Sequence, residues 1–489
     1  MHAHLVGVSG TGMGALATLL REAGDEVSGS DAAFDPPVGP MLARLGVRCE
    51  KGYDEAHLEP RPDRVVIGNA IRRDNVEAQA AERLGIPRAS MSQTLRDRFL
   101  AKRRPLVVAG THGKTTTSAI CAWLLARAGY DPGWFIGGIP KNLPAAAAIG
   151  STERRLLKPN GGRAPFVVEG DEYDAVYWNK QPKFLDYIGV GPDDVAIVTS
   201  IEHDHIDVYP DSSSYEAAFR AFVRAVPEGG LVICDARDGR ARSIVSSESR
   251  ARVAFYALEQ DDTGDVTPTW VGAPASPLAD GSQTFDLFAG GMSCGRFSLR
   301  VPGRHNVRNA IASIAACAEG FGASVRDARG HLSAFEGVQR RQDLLGQPRG
   351  IYVYDDFAHH PTAVDETLRA LRARHPSGAL WVTFEPRSAT ACRALHQRAY
   401  ADAFGAADQV LLAPLGRTNI PEGERLDLDR LVRDLGPKAL ALGGVDAIVA
   451  HLVSHARRGD CIAILSNGAF GGIHGRLIGE LGGVHGGSG

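Results

Sequence analysis

Residues 106–119, LVVAGTHGKTTTSA, constrain this chain more than any other stretch. Leu106 to Ala109 are four apolar residues in a row, which reads as a strand buried on both faces. Gly110, Thr111, His112 and Gly113 then turn the chain, and Lys114, Thr115 and Thr116 open a helix. A glycine turn between strand and helix aims backbone N–H groups at one spot, backed by the positive end of the helix dipole. Polyphosphate binds such a spot. Lys114 is expected to reach the β- and γ-phosphates, and the Thr115 hydroxyl to complete a Mg²⁺ shell. The general motif asks for glycine at position 108, where this chain has Val108, so the match is to the shortened form GTHGKTT. These residues predict an ATP site on an α/β core.

Strand and helix patterns alternate on both sides of that turn, as in α/β domains with parallel sheets. A chain of 489 residues suggests three domains at about 150 residues each. The first, 1–104, opens with HLVGV as strand, GTGMGALATLLREAG as turn and helix, EVSGSD as a second strand and DRVVIGNAI as another. Lys102-Arg103-Arg104-Pro105 reads as a basic linker into the central domain, 105–342. Within it, Leu156 to Pro165 reads as a basic loop and Glu259 to Gly295 as short antiparallel strands. The third domain, 343–489, starts with a strand, a loop and a helix, and its tail GGVHGGSG reads as disordered.

The net charge of −3 offers no case for nucleic acid or an anionic membrane as partner. Seven scattered cysteines, never in a CxxC pair, argue against a disulfide framework or zinc site and for a reducing compartment. The N-terminus lacks the basic region of a signal peptide, and no run approaches membrane-spanning length. The expected address is the cytoplasm.

Candidate chemistry falls at strand ends, where open α/β sheets place their ligands. FVVEGDEYD puts Glu169, Asp171, Glu172 and Asp174 after one apolar run, and AIVTSIEHDHIDVY puts Glu202, Asp204 and His205 after another. Glu169 and His205 read as reaching a hard cation directly or through water. GRHNVRNA offers His305, Asn306 and Asn309 at a helix start, where Asn suits an adenine edge or, at Asn306, a helix cap. Arg340 and Arg341 could clamp phosphate or carboxylate. Asp355, Asp356, His359 and His360 follow a further strand, with His360 before a proline as a turn-shaping residue. The first domain's Gly10-Thr11-Gly12-Met13-Gly14, with Ala15 and Asp31, also fits a dinucleotide fingerprint. A nicotinamide-dependent dehydrogenase explains that domain alone and leaves the downstream ATP motif unused.

GTHGKTT, EGDEYD, IEHDHID, GRHNVRNA, GVQRR and YDDFAHHPT occur here in the order found in the Mur ligase family, which the chain resembles over nearly its whole length. The resemblance implies an α/β, three-domain architecture: a Rossmann-like N-terminal domain, a P-loop central ATPase domain and a Rossmann-like C-terminal domain. It implies ATP-dependent amide formation in peptidoglycan assembly or recycling, with Mg²⁺ held through Thr115, Glu169 and His205. Two branches compete, one adding L-alanine to UDP-N-acetylmuramate and one adding the murein tripeptide. IGNAI around Asn69, EPRS from Glu385 to Ser388 and LSNGAFGGIH from Leu465 to His474 look like the tripeptide branch.

On that resemblance, Gly10 to Gly14 receive the UDP pyrophosphate, with Asp31 and Asn69 at the same sheet edge. Arg387, Phe470 and Gly471 hold the peptide, unless SNGAFGG is only a turn before the last helix. Arg341, Asp356 and His359 meet the nucleotide or its metal when the domains close. Several relatives carry a carbamylated lysine, but Ser214 to Arg220 contain no lysine. The reading from another class is a sensor that binds cell-wall nucleotides without making a bond, which would need no second acidic site and no closing third domain.

Overall fold

The computed structural model describes residues 1–151, 163–275, 277–278, 281–417 and 419–483. The loop expected at 156–165 lies, up to residue 162, outside the described residues, as does the tail from 484. Arg104–Ala109 is the expected strand, and Leu106 to Ala109 are all fully buried. It pairs in parallel with Val195–Val198 on one side and Pro165–Glu169 on the other. An apolar run without alternation marks a strand covered on both faces, and this one is.

Among the described residues, ten strands form this central sheet. Parallel pairing runs from Trp270–Pro274 through Arg252–Leu258, Leu231–Asp235, Val195–Val198, Arg104–Ala109 and Pro165–Glu169 to Gly133–Phe135. Gln283–Ala289 and Met292–Leu299 extend one edge antiparallel, as the turn-rich composition of 259–295 predicts. On one face pack the helices Lys114–Arg127 and Arg304–Ala315, through Ile120, Leu124, Val307 and Ile311. On the other face, Phe184, Phe219 and Phe222 join a cluster that continues into Leu16 and Leu20 of the first domain.

The first sheet has the order Arg48–Lys51, Glu26–Asp31, His2–Val6, Arg64–Ile67, Arg88–Ser90, all parallel. The third uses Tyr352–Asp356, Cys461–Leu465, Leu380–Phe384, Gln409–Leu412 and Ala439–Ala441 in parallel, with Asp343–Gly346 antiparallel at one edge. Open α/β sheets place their ligands beyond the carboxyl ends of the strands, at the point where strand order reverses.

The basic stretch before the central strand is not a solvated linker. Arg103 is buried and donates to the Ile149 carbonyl at 2.7 Å. Arg104 donates to the Asp193 carbonyl at 2.6 Å and pairs with its carboxylate. The chain enters the third domain through an antiparallel bridge, Pro140 to Val338, reinforced by Gln339 N–H on the Ile139 carbonyl at 2.9 Å.

Candidate active site

The glycine turn ends where it must. Gly113 has φ of 79°, and a Cβ built there would stand 2.5 Å from Asn309 Oδ1. Gly110, at φ 136°, would drive a Cβ into Thr199 Oγ1. Both positions therefore require glycine. Helix Lys114–Arg127 starts with no side-chain cap, so its first N–H groups remain available to an anion. Thr111 and His112 were expected among the cofactor contacts, but their N–H groups are already taken. Thr111 N–H bonds the Ser200 carbonyl at 2.9 Å and His112 N–H bonds Ser200 Oγ at 3.1 Å. The Thr111 hydroxyl is bound to the Glu202 carbonyl at 2.9 Å. These two residues brace the turn on the neighbouring strand end, leaving Gly113 to Thr116 to face a ligand.

Two carboxylates stand opposite that helix start. Thr115 Oγ1 donates to Glu169 Oε1 at 2.9 Å, and Gly137 N–H holds Glu169 Oε2 at 2.7 Å. Lys114 Nζ reaches Glu172 Oε1 at 2.9 Å and the Gly110 carbonyl at 2.6 Å. Burial would lower the Lys114 ammonium, but the Glu172 charge and bond outweigh it and hold the pKa above the usual range. Burial likewise works to raise Glu172, and Lys114 with His205 brings it below the usual carboxylate range. Glu172 is 1% exposed and its Oε2 has no partner among the described residues, an orphan acceptor beside the loop.

The sequence placed Glu172 in an acidic run but gave no reason to choose it over three neighbours. Tyr215, from helix Ser212–Ala225, was missed altogether; its hydroxyl meets Thr111 Oγ1 at 3.0 Å and Glu172 Oε1 at 3.4 Å.

His205 sits differently from the expectation. Its Nε2 bonds Glu172 Oε1 at 3.0 Å and its Nδ1 the Tyr173 hydroxyl at 2.9 Å. Among the described residues no hydrogen bond or ion pair joins it to Thr115 or Glu169. Both ring nitrogens are spoken for, so the hard-cation donors that stand together are Thr115 and Glu169. That hydroxyl–carboxylate pair is the oxygen donor set Mg²⁺ takes, so the residues present fit the ion.

A cavity of about 460 Å³ opens beside the turn, lined by Gly113, Asp235, His305 and Asn309 and closed by Thr362 and Glu366 of the third domain. Asn306 does not cap helix Arg304–Ala315; Gly303 holds that position, and Asn306 Nδ2 bonds the Pro302 carbonyl at 2.7 Å. Asn309 Nδ2 bonds Asn306 Oδ1 at 3.1 Å. That bond turns its own oxygen toward Gly113. His305 Nε2 meets Gln342 Nε2 at 3.2 Å, and burial lowers its pKa. Asp235, which the sequence reading passed over, is buried in this cavity wall, and burial pushes its carboxyl up to about 7.

The third domain meets this face directly. Arg341 Nη2 donates to Thr115 Oγ1 at 3.2 Å, bringing a cation from the domain junction to the helix start. Arg340 serves the backbone instead, clamping Asp355 at 3.1 Å and the carbonyls of Ser466 and Gly468 at 2.8 and 2.7 Å. Asp356 was expected at the nucleotide, but its oxygens accept Gln342 N–H and Ala358 N–H, each at 2.7 Å, and it is buried. It shapes the junction. His359 Nδ1 bonds the Phe357 carbonyl at 3.0 Å and its Nε2 faces Asp204 at 3.8 Å. His360 caps helix Pro361–Arg374, as a turn-shaping residue would, but also faces Glu202 at 3.4 Å.

At the first domain, Gly10 is the uncapped N-terminal residue of helix Thr11–Glu22, and Asn69 is exposed beyond the adjacent strand. Met13 and Gly14 are buried, so only their backbone could reach a ligand. Asp31 spends its carboxylate on the loop: Oδ2 accepts Ser9 N–H at 2.8 Å and Oδ1 accepts Ala32 N–H at 2.7 Å.

The expected peptide contacts divide. Arg387 is half-exposed beside Glu385 at 3.6 Å. Phe470 is 1% exposed in the core with Ile473 and Leu477, so its ring is packing and not a substrate contact. Gly471, at φ 56°, belongs to the turn into helix Ile473–Gly482. This segment is chiefly a structural turn.

Three family models match in chain order: Mur ligase family, catalytic domain, over 2–103; Mur ligase middle domain over 108–317; and Mur ligase, glutamate ligase domain, over 340–468. The chain is 36% identical over 482 residues, 98% of each chain, to UDP-N-acetylmuramate--L-alanyl-gamma-D-glutamyl-meso-2,6-diaminoheptandioate ligase of Escherichia coli (strain K12). It is 34% identical over 492 residues, again 98% of each, to UDP-N-acetylmuramate--L-alanine ligase of Roseiflexus sp. (strain RS-1). Among solved structures, a murein peptide ligase from Psychrobacter arcticus 273-4 superposes with a TM-score of 0.72 at 34% identity, covering 99% of this chain and 100% of that one.

Proposed function

The chain belongs to the Mur ligase family of ATP-dependent amide-forming enzymes, and on that premise we propose that it joins L-Ala-γ-D-Glu-meso-diaminopimelate to UDP-N-acetylmuramate in murein recycling. The observation that carries the choice of branch is the end-to-end similarity to the tripeptide-adding enzyme of Escherichia coli. The reaction belongs in the cytoplasm, where ATP and nucleotide sugars are found.

The chemistry follows from the leaving group. An amine cannot displace oxide from a carboxylate at neutral pH, so the muramate carboxylate first takes the γ-phosphoryl group of ATP, releasing ADP. The peptide's L-alanine nitrogen then attacks the acyl phosphate, loses a proton, and inorganic phosphate departs from the tetrahedral intermediate. Gly113 to Thr116 supply backbone donors for the phosphates, and Lys114 exchanges Glu172 for a phosphate oxygen. Thr115 and Glu169 would hold Mg²⁺, which when bound neutralises phosphate charge. Arg341 adds a cation from the junction with the third domain, so how that domain lies against the loop sets the charge at the site. The nucleoside fits the cavity beside Asn309 and His305, and the UDP pyrophosphate the Gly10–Gly14 helix start. Arg387 is the candidate for a peptide carboxylate.

The test is phosphate release with ATP, Mg²⁺ and UDP-N-acetylmuramate, offering L-alanine or the tripeptide as the amine. Release that depends on the tripeptide, with UDP-muramyl-tripeptide detected by mass, is the expected result. Release with free L-alanine alone would move the protein to the biosynthetic branch.

A further inference from the structure

We propose that His112, Glu202 and His360 form a site for a borderline divalent cation of the zinc class, at the seam between the central and third domains and separate from the Thr115–Glu169 pair. Each residue offers one ligand atom, and the three atoms lie within 4.8 Å of one another. Glu202 Oε2 is the hub: His112 Nε2 donates to it at 2.7 Å, Thr362 Oγ1 donates at 2.8 Å, and His360 Nδ1 lies at 3.4 Å. The imidazoles of His112 and His360 have centroids 4.8 Å apart.

The imidazoles at this seam are also incompletely bonded. His360 Nε2 and His396 Nε2 are both buried with no hydrogen-bond partner among the described residues, on rings whose centroids are 4.6 Å apart. Buried ring nitrogens left unpaired are uncommon; the ion would sit at His360 Nδ1, beside Glu202, so neither Nε2 is itself one of its ligands. Two imidazoles and a carboxylate suit Zn²⁺, Co²⁺ or Ni²⁺, whereas Mg²⁺ prefers oxygen alone. His112 and Glu202 come from the central domain, and His360, Thr362 and His396 from the third. An ion there ties the two together and holds His112, two residues from Lys114, in place.

Co²⁺ titrated into the full-length chain without nucleotide, in an excess of Mg²⁺, tests the site by its visible d–d absorption. One equivalent should bind, Zn²⁺ should displace it, and His360→Gln should weaken binding at least about tenfold. Absence of a visible band, or unchanged affinity in His360→Gln, would overturn the proposal. Because that variant could disturb the helix cap, anomalous diffraction at the zinc edge from wild-type crystals soaked in Zn²⁺ gives an independent answer. A peak between His112, Glu202 and His360 is expected; a peak only at Thr115–Glu169, or none, refutes the site. Neither readout depends on the ligase assignment.

Discussion

The chain builds the same backbone device twice. A strand, a glycine turn and an uncapped helix start occur at Gly10–Gly14 and again at Gly110–Thr116. Beside the first, Asp31 spends its carboxylate on backbone, accepting Ser9 N–H at the entry to the turn and Ala32 N–H after its own strand. Around the second stand Lys114, Glu172, Glu169 and Arg341, joined through hydrogen bonds to one another or to Thr115. Both can hold an anion by backbone and dipole. Among the described residues, the second is where cations and carboxylates stand together, able to respond as charge moves between phosphates. Holding and reacting share a backbone and differ in the side chains brought to it.

That contrast can be broken at Lys114. Lys114→Ala should cut turnover about a thousandfold while UDP-sugar affinity, measured by calorimetry, stays unchanged. A loss of sugar affinity of similar size would merge the two turns into one site. Gly113→Ala comes next: a positive φ and the contact with Asn309 Oδ1 predict nucleotide affinity down about tenfold or more. Gly10→Ala sharpens the comparison from the other side. Gly10 has φ of −63° and its nearest Cβ contact would be 3.5 Å away, so the melting temperature should not move. If a pyrophosphate approaches the loop there, KM for the UDP-sugar should still rise several-fold; an unchanged KM would remove the first turn from substrate binding.

The smallest effect concerns Asp235, which lines the cavity beside the second turn and has no counterpart in the contacts found at the first. Burial raises its carboxyl from an ordinary 3.8 to about 7. Between those values the folded chain binds more protons than the unfolded one, so this group's contribution to stability is full below 3.8 and lost as pH rises through about 7. Asp235→Asn should flatten that part of the stability profile in denaturant titrations at stepped pH. An unchanged slope would mean the carboxyl is solvated.

Elements whose signal is local were legible from the chain. The buried strand at 106–109, the two glycine turns, the alternating α/β pattern and the acidic strand ends all depend on residues close in sequence, and six ordered motifs identified the family. Contacts between distant segments were not. Phe470 looked available in a glycine-rich run but is core, because the turn folds its ring under the last helix. Asp356 was expected at the nucleotide or its metal, yet backbone N–H groups from both sides claim it. His205 was read as a cation ligand and Glu172 passed over, although which carboxylate meets Lys114 is settled by a contact spanning 58 residues.

Periodicity and turn chemistry thus wrote the sheets, the glycine turns and the family into the chain, because each is decided within one strand or helix. Side-chain partners were decided by the packing of three sheets whose strand ends converge. A carboxylate or imidazole has one sequence neighbourhood but several possible spatial ones, and its charge, its bonds and its role follow from the one the fold selects.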